Sequence, residues 1–228
     1  MAALTAPPAD IDSLLRRAHR LAGRTLAQLA ADDGVDVPDD LRRHKGWVGQ
    51  LLERRLGAPA DNQAAPDFAG LGVELKTLPT DARGKPLEST YVTRVPLTDL
   101  DQVRWETSLA REKLQRVLWV PIHAERHLPV GERRVGQPLL WSPNAEEERV
   151  LRQDFEAHLA RIRDGEVEAI TARDGEALQI RPKGANARET TWGTGDFESV
   201  IRTRPLGFYL RARFTAHLLQ TYFFDAPR

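Results

Sequence analysis

A change of hydrophobic period near residue 70 constrains this chain more than any other feature. Before it, apolar residues recur at the three-to-four spacing of helices; after it, short apolar or alternating runs read as strands. Asp10 or Asp12 can cap a helix carrying Leu14, Leu15, Ala18, Leu21 and Ala22. Thr25 to Ala31 reads as a second helix, ended by Asp33-Gly34. Pro38-Asp39-Asp40 opens a third, which runs through Trp47, Leu51 and Leu52 to Leu56 and stops at Gly57. Ala58 to Ala65 is a loop of small residues. Strands are then predicted over Gly72–Leu78, Tyr91–Pro96 and Val117–Ile122, with a short one at Leu139–Trp141. Pro143-Asn144 caps a helix with Leu151, Phe155, Leu159 and Ile162 on one face, closed by Gly165. Two further strands, about Val167–Thr171 and Ala177–Arg181, flank Asp174-Gly175, a strong hairpin signal. The tetrad Arg-Asp-Gly-Glu occurs at 163 and 173 and reads as two turns, and Phe214–Phe224 is predicted to close the chain as a helix. This is an α/β chain of the mixed α+β kind. With no low-complexity linker, two lobes sharing a cleft are expected over separate domains.

Composition narrows the chemistry. There are 0 cysteines, so thiol nucleophiles, disulfides and Cys-ligated metals are excluded. The 6 histidines do not fall at ligand spacing, and the closest pair, His123 and His127, reads as surface. Any metal must be held by oxygen, which means a hard cation such as magnesium or calcium. The longest apolar run, Val117 to Ile122, is far too short to span a bilayer, and the first residues lack the character of a signal peptide, so a cytoplasmic location is expected. The 33 basic and 33 acidic side chains cancel, which argues against indiscriminate coating of nucleic acid and leaves a local basic groove open. Residues 146–156 are acidic. Residues 202–213 hold four arginines, two aromatics and no acid, either a phosphate-contacting surface or a solvated loop and helix start.

The strongest chemical signal is Pro66-Asp67-Phe68-Ala69-Gly70-Leu71-Gly72-Val73-Glu74-Leu75-Lys76. Side chains alternate along a strand, so Glu74 and Lys76 project together. Two carboxylates and an amine thereby meet on one strand and the turn before it. Carboxylates suit magnesium, and an adjacent lysine can orient water or stabilise a phosphorane, which fits phosphodiester hydrolysis. A half-exposed strand with an i, i+2 ion pair would show the same pattern. The chain has only 5 lysines against 28 arginines, at 45, 76, 85, 113 and 183. A lysine in so arginine-biased a chain hints at a compact point charge that arginine cannot supply.

Pro-Asp-Phe-Ala-Gly-Leu-Gly-Val-Glu-Leu-Lys-Thr resembles the PD-(D/E)xK nuclease motif in the form used by the MutH family. Six more collinear blocks resemble the same family: 45–53, 84–90, 116–121, 134–144, 180–186 and 207–210. The resemblance implies a restriction-endonuclease-like central mixed sheet flanked by helices. It also implies two lobes around a DNA cleft, a catalytic one including about 38–123 and a recognition one including about 139–228. It makes Asp67 and Glu74 metal ligands, Lys76 the catalytic lysine, Glu53 an additional acidic residue near the metal and Lys113 an active-site lysine. Lys45, just over two helical turns before Glu53, can face the same cleft. Arg181 and Lys183 match a base-reading loop, and arginine and lysine are the side chains that read guanine N7 and O6. Tyr209 and Tyr91 match aromatics associated with the target adenine and its methyl state. Read without the family, both tyrosines are core-packing residues.

The activity implied is magnesium-dependent nicking of the unmethylated strand at hemimethylated GATC sites in double-stranded DNA, with manganese or calcium able to replace magnesium for binding. MutL is implied as activating partner, MutS as an indirect one, and the chain as a monomer. A restriction endonuclease of the same superfamily shares the core. A non-catalytic DNA-binding module would be expected to have lost Asp67, Glu74 or Lys76, and all three are present.

Overall fold

The computed structural model describes residues 5–59, 65–184, 188–195 and 199–224, which divide into two compact units. The division is not a single cut. Unit 1 takes residues 1–88, 115–142 and 219–228; unit 2 takes 89–114 and 143–218. The segment 89–114, expected with the catalytic lobe, thus belongs with the C-terminal residues. Its strand pairs there.

Unit 1 opens with α1 (Ile11–Leu21), α2 (Leu26–Asp33) and α3 (Trp47–Leu56). Both early helices start on capping boxes. The Asp10 carboxylate accepts from the Ser13 N–H at 2.6 Å, and Thr25 and Gln28 satisfy each other's backbone N–H groups. That bond from Ser13 holds the Asp10 carboxyl below the ordinary carboxylate range. The third helix starts later than Pro38-Asp39-Asp40 suggests. Residues 38–40 are irregular and 41–46 turn, and Gly46, in the left-handed region, sets the entry at Trp47.

The sheet of unit 1 is mixed. Strand β3 (Val117–His123) is central, parallel to β1 (Glu74–Thr80) and antiparallel to β4 (Arg134–Val135) and β5 (Leu139–Trp141). Buried Leu14, Leu26, Leu29, Leu51, Leu52 and Leu56 from the helices pack on Val73, Leu75, Leu118 and Val120. At about 1.5–3 kcal/mol per buried leucine, this layer anchors β1. Leu75 is consumed by that core, and its strand neighbours Glu74 and Lys76 are thereby directed to the other face.

Unit 2 is built on a three-stranded antiparallel sheet in the order β2 (Thr90–Arg94), β9 (Leu206–Leu210), β6 (Leu178–Pro182). Helix α4 (Leu109–Leu114) packs on β2, and α5 (Ala145–Arg163), capped by Asn144 and Glu147, packs on β6. A separate ribbon pairs β7 (Thr191–Thr194) with β8 (Val200–Thr203), and α6 (Ala212–Phe224) follows β9. Phe155 on α5 centres the core, 5.2 Å from both Trp105 and Phe208 between ring centroids.

The predicted hairpin at Asp174-Gly175 is corrected. The turn exists: Gly175 has φ 86, and Asp174 accepts from the Thr171 N–H. Residues 166–169, however, form a 3-10 turn rather than a strand, and β6 pairs with the distant β9. Side chains from elsewhere hold the turn. Asp154, buried on α5, accepts from the N–H groups of Glu176, Ala177 and Leu178, while the Arg211 guanidinium donates to the carbonyls of residues 172–175. Arg213 donates to Glu176 and Gly175 carbonyls, so two of the four arginines in 202–213 are turn clamps. No helix of the described residues is long and apolar enough to cross a membrane.

Candidate active site

Residues 67–76 fold back on themselves. Phe68 and Val73 exchange both backbone hydrogen bonds, and the intervening chain turns through a 3-10 segment at Ala69–Leu71 that ends on Gly72 at φ 62. Only a residue at ease in that left-handed region closes so tight a loop. The result sets Asp67 beside the start of β1. Its carboxylate accepts from the Leu75 N–H at 2.8 Å, and its own N–H donates to Glu74 Oε2 at 3.3 Å. The Lys76 ammonium donates to Glu74 Oε1 at 2.6 Å. Glu74 is 2% exposed and the Lys76 side chain 16%. A carboxylate so deeply buried demands charged and hydrogen-bonded partners, and it has both.

The donor chemistry fits magnesium. Asp67 and Glu74 present carboxylate oxygens from one turn of chain, and magnesium takes one or two carboxylates and fills its remaining positions with water and substrate phosphate. Among the described residues no group of three or more acid or histidine side chains is arranged to hold a metal. Glu53, on α3, is partly buried and its Oε1 lies back over Gly49. It does not complete a three-acid cluster with Asp67 and Glu74. Lys45 is exposed in the turn before α3. With Arg42, Trp47, Thr77 and Glu88 it lines a cavity of about 530 Å³ beside β1. Lys113 near the end of α4 belongs to unit 2 and is buried.

The residues expected to read bases converge on the sheet of unit 2. Tyr91 and Tyr209 are register partners on β2 and β9, with rings in edge contact at 5.3 Å. Lys183 Nζ stands 4.2 Å over the Tyr91 ring, and the Arg181 guanidinium lies 5.7 Å from the Tyr209 centroid, both cation–π distances. Arg181 also donates to Ser89 Oγ at 2.7 Å. A bulge at Val92 shifts the β2 register, so Arg94 pairs with Gly207 and joins the face that holds Tyr91. Burial pushes the Tyr91 phenol above its ordinary value, and Arg94 pulls it back in part. The sequence reading missed Arg94, Ser89 and Gly207. A glycine beside aromatics in an apolar run was the one available signal.

A mixed sheet flanked by helices, with a half-buried Asp, a buried Glu and a half-buried Lys joined before and along one strand, defines the class of restriction-endonuclease-like nucleases. A family model described as the DNA mismatch repair enzyme MutH matches residues 56–154. Proteins called DNA mismatch repair protein MutH are 53% identical in Shewanella sp. strain MR-4, 52% in Shewanella baltica strain OS155 and 51% in Shewanella oneidensis. Each match covers 95% of this chain and 97% of the relative. The chain belongs to the MutH family.

Proposed function

We propose that the chain is a DNA mismatch repair endonuclease that nicks the unmethylated strand of hemimethylated GATC sites by magnesium-dependent phosphodiester hydrolysis. The hydrogen-bonded trio Asp67, Glu74 and Lys76 carries this reading. Asp67 and Glu74 would hold the metal, with Glu53 the additional acidic residue that the family resemblance implies near it. Held by these carboxylates, magnesium would supply Lewis-acid chemistry, activating water and offsetting charge on the scissile phosphate. Lys76, already held against Glu74, keeps a compact cation beside the carboxylates, where it donates to a phosphate oxygen as negative charge builds. Lys113 would serve as an active-site lysine and Lys45 as a DNA contact.

Arg181 and Lys183 read base edges, and Tyr91 and Tyr209 form the wall against which an adenine N6 group is judged. Manganese or calcium can replace magnesium for binding. MutL activates the enzyme after MutS detects a mismatch, and the chain acts as a monomer in the cytoplasm. The test is nicking of unmethylated, hemimethylated and fully methylated GATC duplexes in magnesium, with and without MutL. Cleavage confined to unmethylated strands and raised by MutL is the expected result. Cleavage blind to methylation or to GATC would overturn it.

A further inference from the structure

We infer that Gly207 is a specificity-determining residue, the floor on which the methyl-sensing wall is built; this rests on the reading of Tyr91, Tyr209 and Lys183 just given. Gly207 sits in β9, the central strand of its sheet, between Arg94 on β2 and Arg181 on β6. Glycine weakens a central strand and is kept where another group must come close. Its backbone does not require it, because Gly207 is not among the glycines with positive φ. The space does require it. A Cβ built there would lie 2.9 Å from Tyr91 Cε2, 3.1 Å from Tyr209 Cε2 and 3.2 Å from Lys183 Cβ. These three neighbours are two ring edges and a side-chain root, and they are the three residues assigned to adenine and base-edge recognition. One missing methyl group therefore lets both rings sink onto the sheet, meet at 5.3 Å and carry the Lys183 ammonium above the Tyr91 ring.

A methyl on adenine N6 is a small difference, and rejecting it needs a wall placed to within a few tenths of an ångström. Lifting either ring changes the clearance for the methylated base more than it changes phosphate contacts elsewhere. Gly207 acts through the tyrosines and is a positioning residue.

The experiment measures single-turnover rates on unmethylated and fully methylated GATC duplexes, with thermal unfolding, for wild type, Gly207→Ala, Tyr91→Ala and the double variant. Gly207→Ala is expected to fold and to lower the unmethylated-to-methylated rate ratio by about tenfold, the scale on which fitted contacts reject a wrong partner. The double variant is expected to match Tyr91→Ala, because the nearest clashing atom is gone; such non-additivity marks a shared mechanism. It also supplies a folded background if the single variant is unstable. An unchanged ratio in folded Gly207→Ala, or effects that add in the double variant, would overturn the inference. A wild type with no methyl preference would overturn the functional reading beneath it, and this inference with it. A wild type with preference and a silent Gly207→Ala would overturn only the role of the glycine.

Discussion

Lys76 is held by one carboxylate and has only a small part of its side chain in solvent. It can therefore deliver its charge at one spot rather than over a sphere of rotamers. Lys76→Ala is expected to lower the single-turnover cleavage rate by roughly a hundredfold or more, with DNA affinity retained, since one lost transition-state charge has that scale. Asp67→Ala should abolish cleavage by removing a metal ligand and the acceptor for the Leu75 N–H. Wild-type rates in either variant would show that the trio is only an ion pair on a strand. Tyr209→Ser is expected to slow cutting of unmethylated sites and to narrow the gap to methylated ones, read as the ratio of single-turnover rates. Both rates falling together would make Tyr209 a packing residue.

The elements of unit 2 depend on one buried carboxylate. Asp154 on α5 accepts from three successive N–H groups at the entry to β6, the strand that ends in Arg181 and leads to Lys183. Asp154→Ala would leave those donors buried without it, a loss expected at about 3–5 kcal/mol. Urea unfolding measures it, and a change below about 1 kcal/mol would mean that the turn finds other acceptors. The same contacts explain why the local turn signal at Asp174-Gly175 misled as to partner. The dipeptide favours a reversal, but which strand receives β6 is decided by α5 and β9, which lie elsewhere in sequence. Gly165, in the first Arg-Asp-Gly-Glu tetrad, likewise takes a positive φ at the end of α5 and makes a turn there.

For the whole molecule, a net charge of +0 conceals a local concentration of cations. Arg94, Arg181 and Lys183 are exposed on the described face of unit 2, whereas Arg211 and Arg213 are spent on carbonyls. DNA binding is expected to weaken with salt at a log–log slope of about −0.9 per phosphate neutralised, despite that neutrality. Lys183→Ala should cost about 1–3 kcal/mol on the cognate duplex and much less on unrelated DNA, compared at one salt concentration. Equal losses on both would make Lys183 a phosphate contact.

Asp67, Glu74 and Lys76 were legible in the sequence because they lie within ten residues. Strand alternation and a glycine-closed turn are local properties that no distant contact needs to supply. The helix caps at Asp10, Thr25 and Asn144 were readable for the same reason: each bond closes within three residues. The wall of Tyr91, Lys183, Gly207 and Tyr209 was not, since it draws on three strands separated by about 90 and 25 residues. Before those strands pair, each tyrosine reads as a core residue and the glycine as a weakness. Register and the bulge at Val92 bring the rings into edge contact, and those come from packing against α5 and from pairing with β9. Local chain chemistry placed the two carboxylates and the lysine together; only long-range strand pairing assembled the cluster of tyrosines, cations and glycine.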